Sequence, residues 1–222
     1  AVYSHNQLYG RWYVVRDGAL PETRRQLRFA VTAGGRRALL YSASEIEVLD
    51  REGERTHAYL RRLGPDVLSQ APTAEDLAAR MDERRFRGRQ LGALLLDQGF
   101  VAELGNYLRS ETLFEAGIHP RRRPRDCDDD ERLRLAERVL VLTKRAYRTR
   151  GTTLPPSVVA ELKSASGHGS RSRFWVYGRT GSPCRRCSSQ VSAAVVGGRK
   201  AFWCPSCQPS RRTDRRPRRV TR

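Results

Sequence analysis

The sequence has 222 residues, of which 38% are hydrophobic and 30% charged, a composition typical of a globular protein with some polar connections. Lysine and arginine number 43 against 24 acidic residues, a formal net charge of +19 that predicts salt-sensitive attraction to polyanions. The sequence shows no apolar run of bilayer length, no basic amphipathic helix with an aromatic face and no signal peptide, so we expect a cytoplasmic protein that does not act at a membrane. Only three of the basic residues are lysines, and a GC-rich genome is an alternative source of part of the arginine excess.

Residues 1–63 are predicted to form strands. The segments RWYVV, LRFAVTAGGRRALLYSA and EIEVLD are rich in β-branched and aromatic residues, and Gly34 and Gly35 predict a hairpin turn. The pattern indicates part of a β-sandwich or barrel without a helix of useful length. Residues 3–9 are expected to be a polar loop that no strand precedes.

Residues 64–150 carry helical patterns after a predicted linker, GPDVLSQAPT, at 64–73. Thr73 is the predicted N-cap of the helix AEDLAARMDERR, and LGALLLDQ predicts a second, apolar helix. In NYLRSETLFEAG we expect Leu108, Leu113 and Phe114 to form one face and Gly117 to end the helix. Three aspartates, 128–130, then begin ERLRLAERVLVLTKRAY.

The C-terminal part contains a cysteine array with the spacing C-x2-C-x16-C-x2-C, formed by Cys184, Cys187, Cys204 and Cys207. Two facing CxxC turns complete a tetrahedron for one Zn²⁺, and because four thiolates close the site we expect a structural metal. A [4Fe–4S] cluster is the alternative. Between the pairs, two short strands are predicted around Gly197 and Gly198. We expect a metal-bound hairpin at 173–208, a flexible connection at 151–172 and a disordered basic tail at 209–222.

The segment LLLDQGFVAELGNYLRSE, taken together with the cysteine array that follows it, resembles the formamidopyrimidine-DNA glycosylase and endonuclease VIII family. Four segments are more similar to endonuclease VIII: YSHNQLYG, LLYSASEIEVL, LRRLGPDVL and FWCPSCQ. The similarity covers roughly residues 3–208. It implies an α+β fold with part of an N-terminal β-sandwich, a helix–two-turns–helix domain and a zinc hairpin. It also implies a monomeric DNA-repair enzyme, a glycosylase and abasic-site lyase that acts on oxidised pyrimidines in double-stranded DNA.

The resemblance also implies roles for individual residues. Asn106, in GNYLR, matches an asparagine that holds a DNA phosphate, and a helix start favours an anion there, although a simple N-cap is the alternative. Arg62, in LRRLGPD, matches an arginine that contacts DNA; on the sequence alone it would be a solvated side chain. Arg199, five residues before Cys204, matches a catalytic finger arginine that takes part in the second elimination step.

The resemblance implies that Gln7, Leu8 and Tyr9 form the loop that enters the duplex. An enzyme that acts on a base takes it out of the stack, and a leucine between polar and aromatic neighbours suits the space left behind. Without the resemblance, NQLY would be an ordinary strand entry.

The family's catalytic opening is missing from the start of this sequence. Its members use an N-terminal proline amine that forms a Schiff base, followed by a glutamate, with a lysine further along. Here the sequence opens with AVYSHNQLYG, residues 1–63 contain no lysine, and Pro21–Glu22 lies mid-chain. Two explanations remain open: a fragment of a complete glycosylase, or a non-catalytic zinc-containing protein that binds damaged DNA. Either predicts little glycosylase activity. A ribosomal or transcription-associated zinc ribbon would leave the GNYLR helix pair unexplained.

Overall fold

The computed structural model describes residues 1–7, 9–69, 72–166 and 173–210. The chain divides into two compact units, the first spanning Ala1–Arg61 and the second beginning at Arg62. The first unit is built mainly of strands, and the second combines helices with a C-terminal hairpin. The predicted mixed α+β class is therefore confirmed. No helix in the described ranges combines the length and the apolar character needed to cross a membrane.

The described residues of the first unit form two antiparallel sheets and one short α-helix. In the smaller sheet the first and last strands pair, so that Val2 lies opposite Val48. In the larger sheet the fourth strand lies between the second and the third. The elements are β1 (Val2–His5), β2 (Arg11–Arg16), β3 (Leu27–Ala33), β4 (Arg36–Tyr41), β5 (Glu45–Val48) and α1 (Arg51–Thr56).

The predicted strands of this unit are present, and the turn between β3 and β4 is formed as expected. Gly34 and Gly35 both have positive φ, 55° and 69°, which glycine adopts without steric cost. The expectation that no strand precedes the polar loop was wrong, because β1 does. Its pairing partner β5 lies some 40 residues further along the chain, so no local signal in VYSH predicts the strand.

The second unit packs its helices around one core and its hairpin against another. The elements are α2 (Ala74–Asp82), α3 (Leu91–Leu94), α4 (Asn106–Ala116), α5 (Asp129–Arg148), α6 (Pro156–Ser166), β6 (Ser192–Val196) and β7 (Arg199–Trp203). The first core includes Leu77, Met81, Leu94, Phe100, Leu113, Leu135 and Val139. The second includes Phe114, Leu154, Trp175, Val176, Val191 and Phe202.

Helix α4 lies between these two cores and is buried from Leu108 to Phe114 on every side. Leu108 and Leu113 pack into the first core, whereas Phe114 packs into the second. The prediction that these three side chains form a single face was therefore wrong. A helix buried all round has no polar face, so its apolar residues divide between two partners.

The predicted helix termini are confirmed. The Thr73 hydroxyl accepts a hydrogen bond from the Asp76 N–H, and the Asp76 carboxylate accepts one from the Thr73 N–H, which together form a capping box. Gly117 ends α4 with a φ of 70°, and Asp128 caps α5. The apolar segment LGALLLDQ, in contrast, is helical only over Leu91–Leu94.

Two segments predicted to be connections are ordered parts of the second unit. In the predicted linker at 64–73, Val67 is fully buried and Asp66 forms a parallel β-bridge with Ala102; residues 70 and 71 lie outside the described residues. In the predicted flexible connection at 151–172, residues 156–166 form α6, and residues 167–172 lie outside the described ranges. The apolar side chains of α6, spaced three to four residues apart, pack on the second core: Val158, Val159 and Leu162. Of the predicted tail, residues 211–222 also lie outside the described part of the chain.

Candidate nucleic-acid interface and metal centre

The C-terminal hairpin ends in a tight two-glycine turn that packs against α3. Strands β6 and β7 are antiparallel, with Val196 opposite Arg199. Gly197 and Gly198 connect them with φ values of 62° and 76°, the left-handed pair that a two-residue hairpin turn requires. A Cβ on Gly197 would lie 2.8 Å from the Cβ of Ala93, so the turn approaches α3 too closely for any other residue.

The four cysteines of the array converge on one point, as the spacing predicts. Their Sγ atoms all lie within 4.8 Å of one another, with Cys184 3.9 Å from Cys207 and Cys187 3.4 Å from Cys204. A tetrahedral zinc site with Zn–S bonds of about 2.3 Å places its sulfurs about 3.8 Å apart. The described cysteines therefore fit a four-thiolate zinc site.

The protonation of these thiols depends on their burial and neighbours. Burial raises the pKa of Cys204 to about 11 and also raises the pKa of Cys207. Burial opposes ionisation of Cys187 as well, but hydrogen bonds from Ser189, and next from Cys204 and Cys207, together outweigh it and lower the pKa of that thiol to about 7. Because a metal binds thiolates, filling the site must release protons, and metal affinity must weaken as the pH falls.

Asn106 is the first residue of α4 and lies at the hairpin turn. Its Nδ2 donates to the Lys200 carbonyl over 3.2 Å, and its Oδ1 accepts from Nη2 of Arg109 over 2.5 Å. Gly105, not Asn106, occupies the N-cap position, so the alternative of a simple N-cap was wrong. The N-terminus of the eleven-residue helix α4 and the turn of the β6–β7 hairpin, called the finger below, therefore meet at this asparagine.

Arg109 is a fully buried residue that the sequence reasoning did not single out. Besides Asn106, its guanidinium donates to the carbonyls of Gly92 (2.9 Å), Val196 (2.7 Å) and Arg199 (3.1 Å). Burial, and next the nearby cation of Arg199, lower the pKa of Arg109 to about 10. Its position one helical turn after Asn106, on the same side of α4, was the available sequence signal.

Glu111 is the second residue that the sequence reasoning missed. Its carboxylate accepts hydrogen bonds from the N–H groups of Trp175 (2.7 Å), Val176 (2.9 Å) and Tyr177 (2.9 Å), and from the hydroxyl of Thr153 (2.7 Å). Complete burial raises the pKa of Glu111, and these four donors offset part of the rise. Through these hydrogen bonds Glu111 holds residues 175–177, which precede the finger, against α4.

We expect Glu111→Gln to destabilise the second unit by about 2–4 kcal/mol, because the amide turns one buried acceptor into a donor that faces other donors. Calorimetric unfolding of the full chain would measure this loss. The matched control is Glu161→Gln on the exposed side of α6, which should change stability by less than about 0.5 kcal/mol. Equal stability of the two variants would show that the Glu111 network contributes nothing.

The two arginines predicted to contact DNA are both exposed. Arg199 begins β7 directly after the finger turn, and its backbone carbonyl is the one that Arg109 binds. Arg62 ends a 3₁₀ helix spanning Leu60–Arg62. The segment after it is tied to the loop that precedes α4, since the Gly64 N–H donates to the Gln98 carbonyl over 2.8 Å. The structure thus joins Asn106 and Arg199 through Arg109 and holds Arg62 by a separate loop.

The predicted insertion loop lies in the first unit and follows β1. Gln7 is exposed and has a φ of 47°, and Tyr9 is 66% exposed. The Tyr9 and Gly10 N–H groups both donate to the Asn6 carbonyl, which makes a tight turn. Leu8 lies outside the described residues. The two described flanks of the loop therefore present their side chains to solvent.

Family models match two parts of the second unit. Residues 63–156 match the formamidopyrimidine-DNA glycosylase H2TH domain, and residues 181–209 match a zinc finger found in FPG and IleRS. Among curated proteins, Endonuclease 8 of Klebsiella pneumoniae is 42% identical over 207 residues, which cover 93% of this chain and 75% of that protein. Endonuclease 8 of Salmonella heidelberg is 40% identical with the same coverage.

Solved structures with the same fold contain DNA. Formamidopyrimidine-DNA glycosylase of Lactococcus lactis, bound non-covalently to DNA with an AP site, superposes with a TM-score of 0.73. The two chains are 20% identical, and the match covers 94% of this chain and 74% of the other. MutM in complex with DNA containing carbocyclic 8-oxo-G gives a TM-score of 0.72 at 20% identity, over 93% of this chain and 73% of the other. The two family models, the shared fold and the identity to Endonuclease 8 all indicate the same family. This chain therefore belongs to the formamidopyrimidine-DNA glycosylase and endonuclease VIII family of DNA-repair glycosylases.

Proposed function

We propose that this chain forms the DNA-binding part of a bifunctional glycosylase and abasic-site lyase. The enzyme removes oxidised pyrimidines through a Schiff base and β,δ-elimination. The observation that carries the proposal is the junction of the α4 N-terminus with the finger turn. There Asn106 donates to the Lys200 carbonyl over 3.2 Å, and Arg199, the residue before Lys200, is exposed. A helix N-terminus, an amide and a guanidinium at one place form a phosphate-binding arrangement.

The proposed roles follow from the chemistry of each side chain. Asn106 donates to a backbone phosphate, and Arg199 neutralises a phosphate near the reacting sugar and assists the second elimination. Arg62 binds the DNA backbone at a separate point. The loop of Gln7, Leu8 and Tyr9 fills the space that an extruded base leaves. The partner is one DNA duplex with an oxidised base or an abasic site, bound by a monomer in the bacterial nucleoid.

The zinc site has a structural role in this proposal. One Zn²⁺ bound by Cys184, Cys187, Cys204 and Cys207 leaves no open position for water or substrate. It would hold the hairpin so that Arg199 meets the DNA at a fixed place and with little loss of side-chain freedom.

The alternative is a protein that binds damaged DNA without chemistry. It is compatible with the absence of lysine from residues 1–63. Both versions predict preferential binding to a duplex with a stable abasic-site analogue, because the cost of extruding a base is already removed there. Fluorescence anisotropy with matched damaged and intact duplexes tests this preference, and equal affinity for the two would contradict both versions.

We expect phosphate contacts to dominate binding, so that affinity falls about 10³-fold or more between low and moderate salt. Deleting residues 211–222, which contain seven arginines and one aspartate, should weaken binding to all duplexes alike and flatten the plot of log Kd against log salt. Binding titrations over a salt series measure both effects. An unchanged slope after the deletion would show that the tail makes no phosphate contact.

A further inference from the structure

Arg109 is a buried cation that meets only neutral oxygen atoms. Its four acceptors are three backbone carbonyls and the Asn106 amide oxygen, and its Nε has no hydrogen-bond partner. Among the described residues, no carboxylate lies within 4.0 Å of its guanidinium. A buried charge without an opposite charge is costly, so such a site is poised for an anion.

The contacts of Arg109 also determine how Asn106 is oriented. A guanidinium can only donate and the Lys200 carbonyl can only accept, so Oδ1 must face Arg109 and Nδ2 must face Lys200. The amide nitrogen has two hydrogens, and Lys200 uses one. The second has no partner among the described residues and remains available to a phosphate oxygen.

The same guanidinium connects the three segments that build the site. It binds the carbonyl of Gly92 in α3, the carbonyls of Val196 and Arg199 on either side of the finger turn, and Asn106 at the start of α4. The exposed Arg199 side chain therefore projects from a turn whose backbone is hydrogen-bonded to Arg109.

We propose that Arg109 is the positioning residue of the phosphate site, which aligns the Asn106 amide and the finger turn and whose uncompensated charge is balanced by the DNA phosphate. This rests on the proposed DNA-binding function. Because Arg109 is fully buried, it acts through Asn106 and the turn, without touching the DNA itself.

A double-mutant cycle on the full zinc-loaded chain tests the proposal, with a duplex that carries a tetrahydrofuran abasic analogue as the probe. Arg109→Met should weaken binding about 10- to 100-fold, the range for losing a charge-assisted hydrogen-bonding group. In an Asn106→Ala background, the same change should cost several-fold less, since the amide that Arg109 aligns is already gone and only the finger turn is left to disturb. Arg109→Lys keeps the charge but reaches fewer carbonyls, and should recover part of the affinity.

The matched control is Arg134→Met on α5. Arg134 also donates to a backbone carbonyl, that of Ala116. It should leave binding within about threefold of the unmodified chain. An equal loss from the Arg109 and Arg134 variants would overturn the proposal, as would the same Arg109→Met factor with and without Asn106.

Hydrogen exchange distinguishes this proposal from the proposed function. In the absence of DNA, Arg109→Met should accelerate exchange at residues 196–200 while zinc content stays at one per chain. Unchanged exchange there would overturn the positioning role even if the protein binds DNA. Faster exchange in a chain that binds no duplex would instead support the positioning and refute the DNA-binding function.

Discussion

A polypeptide of these 222 residues is expected to bind an abasic-site duplex and yet to give almost no covalent adduct when borohydride is added. The DNA contacts proposed for Asn106, Arg199 and the loop around Gln7 and Tyr9 need no nucleophile. Trapping, however, requires an amine that forms a Schiff base with the sugar, and residues 1–63 contain no lysine. Gel analysis of borohydride-treated mixtures, at protein concentrations that saturate binding, measures the two properties side by side.

The amine of Ala1 is the first to test if adduct does form. It donates to the Leu49 carbonyl over 2.7 Å at the end of the β1–β5 sheet. Efficient trapping that disappears when this amine is acetylated would contradict the expected lack of a nucleophile and assign that role to Ala1.

Adding a family-like N-terminal segment that begins with Pro–Glu and supplies a lysine should restore trapping and strand cleavage. The expected change is several orders of magnitude, since a well-placed N-terminal amine opens the route of covalent catalysis. In the extended protein, Arg199→Ala should slow the second elimination more than the first attack, so that β-elimination product accumulates. An extended protein that binds DNA without trapping would support the non-catalytic alternative.

Local signals in the sequence predicted much of the fold. Thr73 and Asp128 mark helix starts because each side chain accepts a hydrogen bond from a backbone N–H three residues later, and Gly117 marks a helix end because that position has positive φ. Gly34 and Gly35, like Gly197 and Gly198, mark hairpins because both positions need positive φ. The cysteine spacing predicted the convergence of the four thiols because two CxxC turns have one simple way to meet.

The features that the sequence did not reveal depend on distant partners. β1 exists because β5 pairs with it, and α6 was concealed by a surrounding segment rich in glycine, serine and proline. Arg109 and Glu111 look like surface residues of a charged helix, yet both are buried, since α4 is covered by helices on one side and by the finger on the other. Helical spacing from Asn106 could have pointed to Arg109, but the burial and the hydrogen-bond partners of both residues follow only from the tertiary contacts.

Loss of zinc is expected to have the largest structural effect on this chain. We predict one tightly bound Zn²⁺, and structural zinc of this type contributes on the order of 10 kcal/mol to local folding. Cys184→Ser or Cys207→Ser should therefore abolish metal binding and release the hairpin, which elemental analysis and hydrogen exchange over residues 184–208 would measure. Iron in place of zinc, or no metal in protein prepared without chelator, would refute the site.

The helices that pack around the first core should survive this loss, because that core is separate from the four cysteines. The first core contains none of the four ligands, whereas Cys184 and Cys204 belong to the second. Circular dichroism should accordingly retain most of the helical signal, while DNA affinity falls because the turn that carries Arg199 is no longer held. Cys127→Ser is the matched control: this thiol is buried in the first core away from the cluster, so the variant should keep its zinc and its DNA affinity. Collapse of the helical signal in Cys184→Ser but not in Cys127→Ser would instead show that the metal supports the whole second unit.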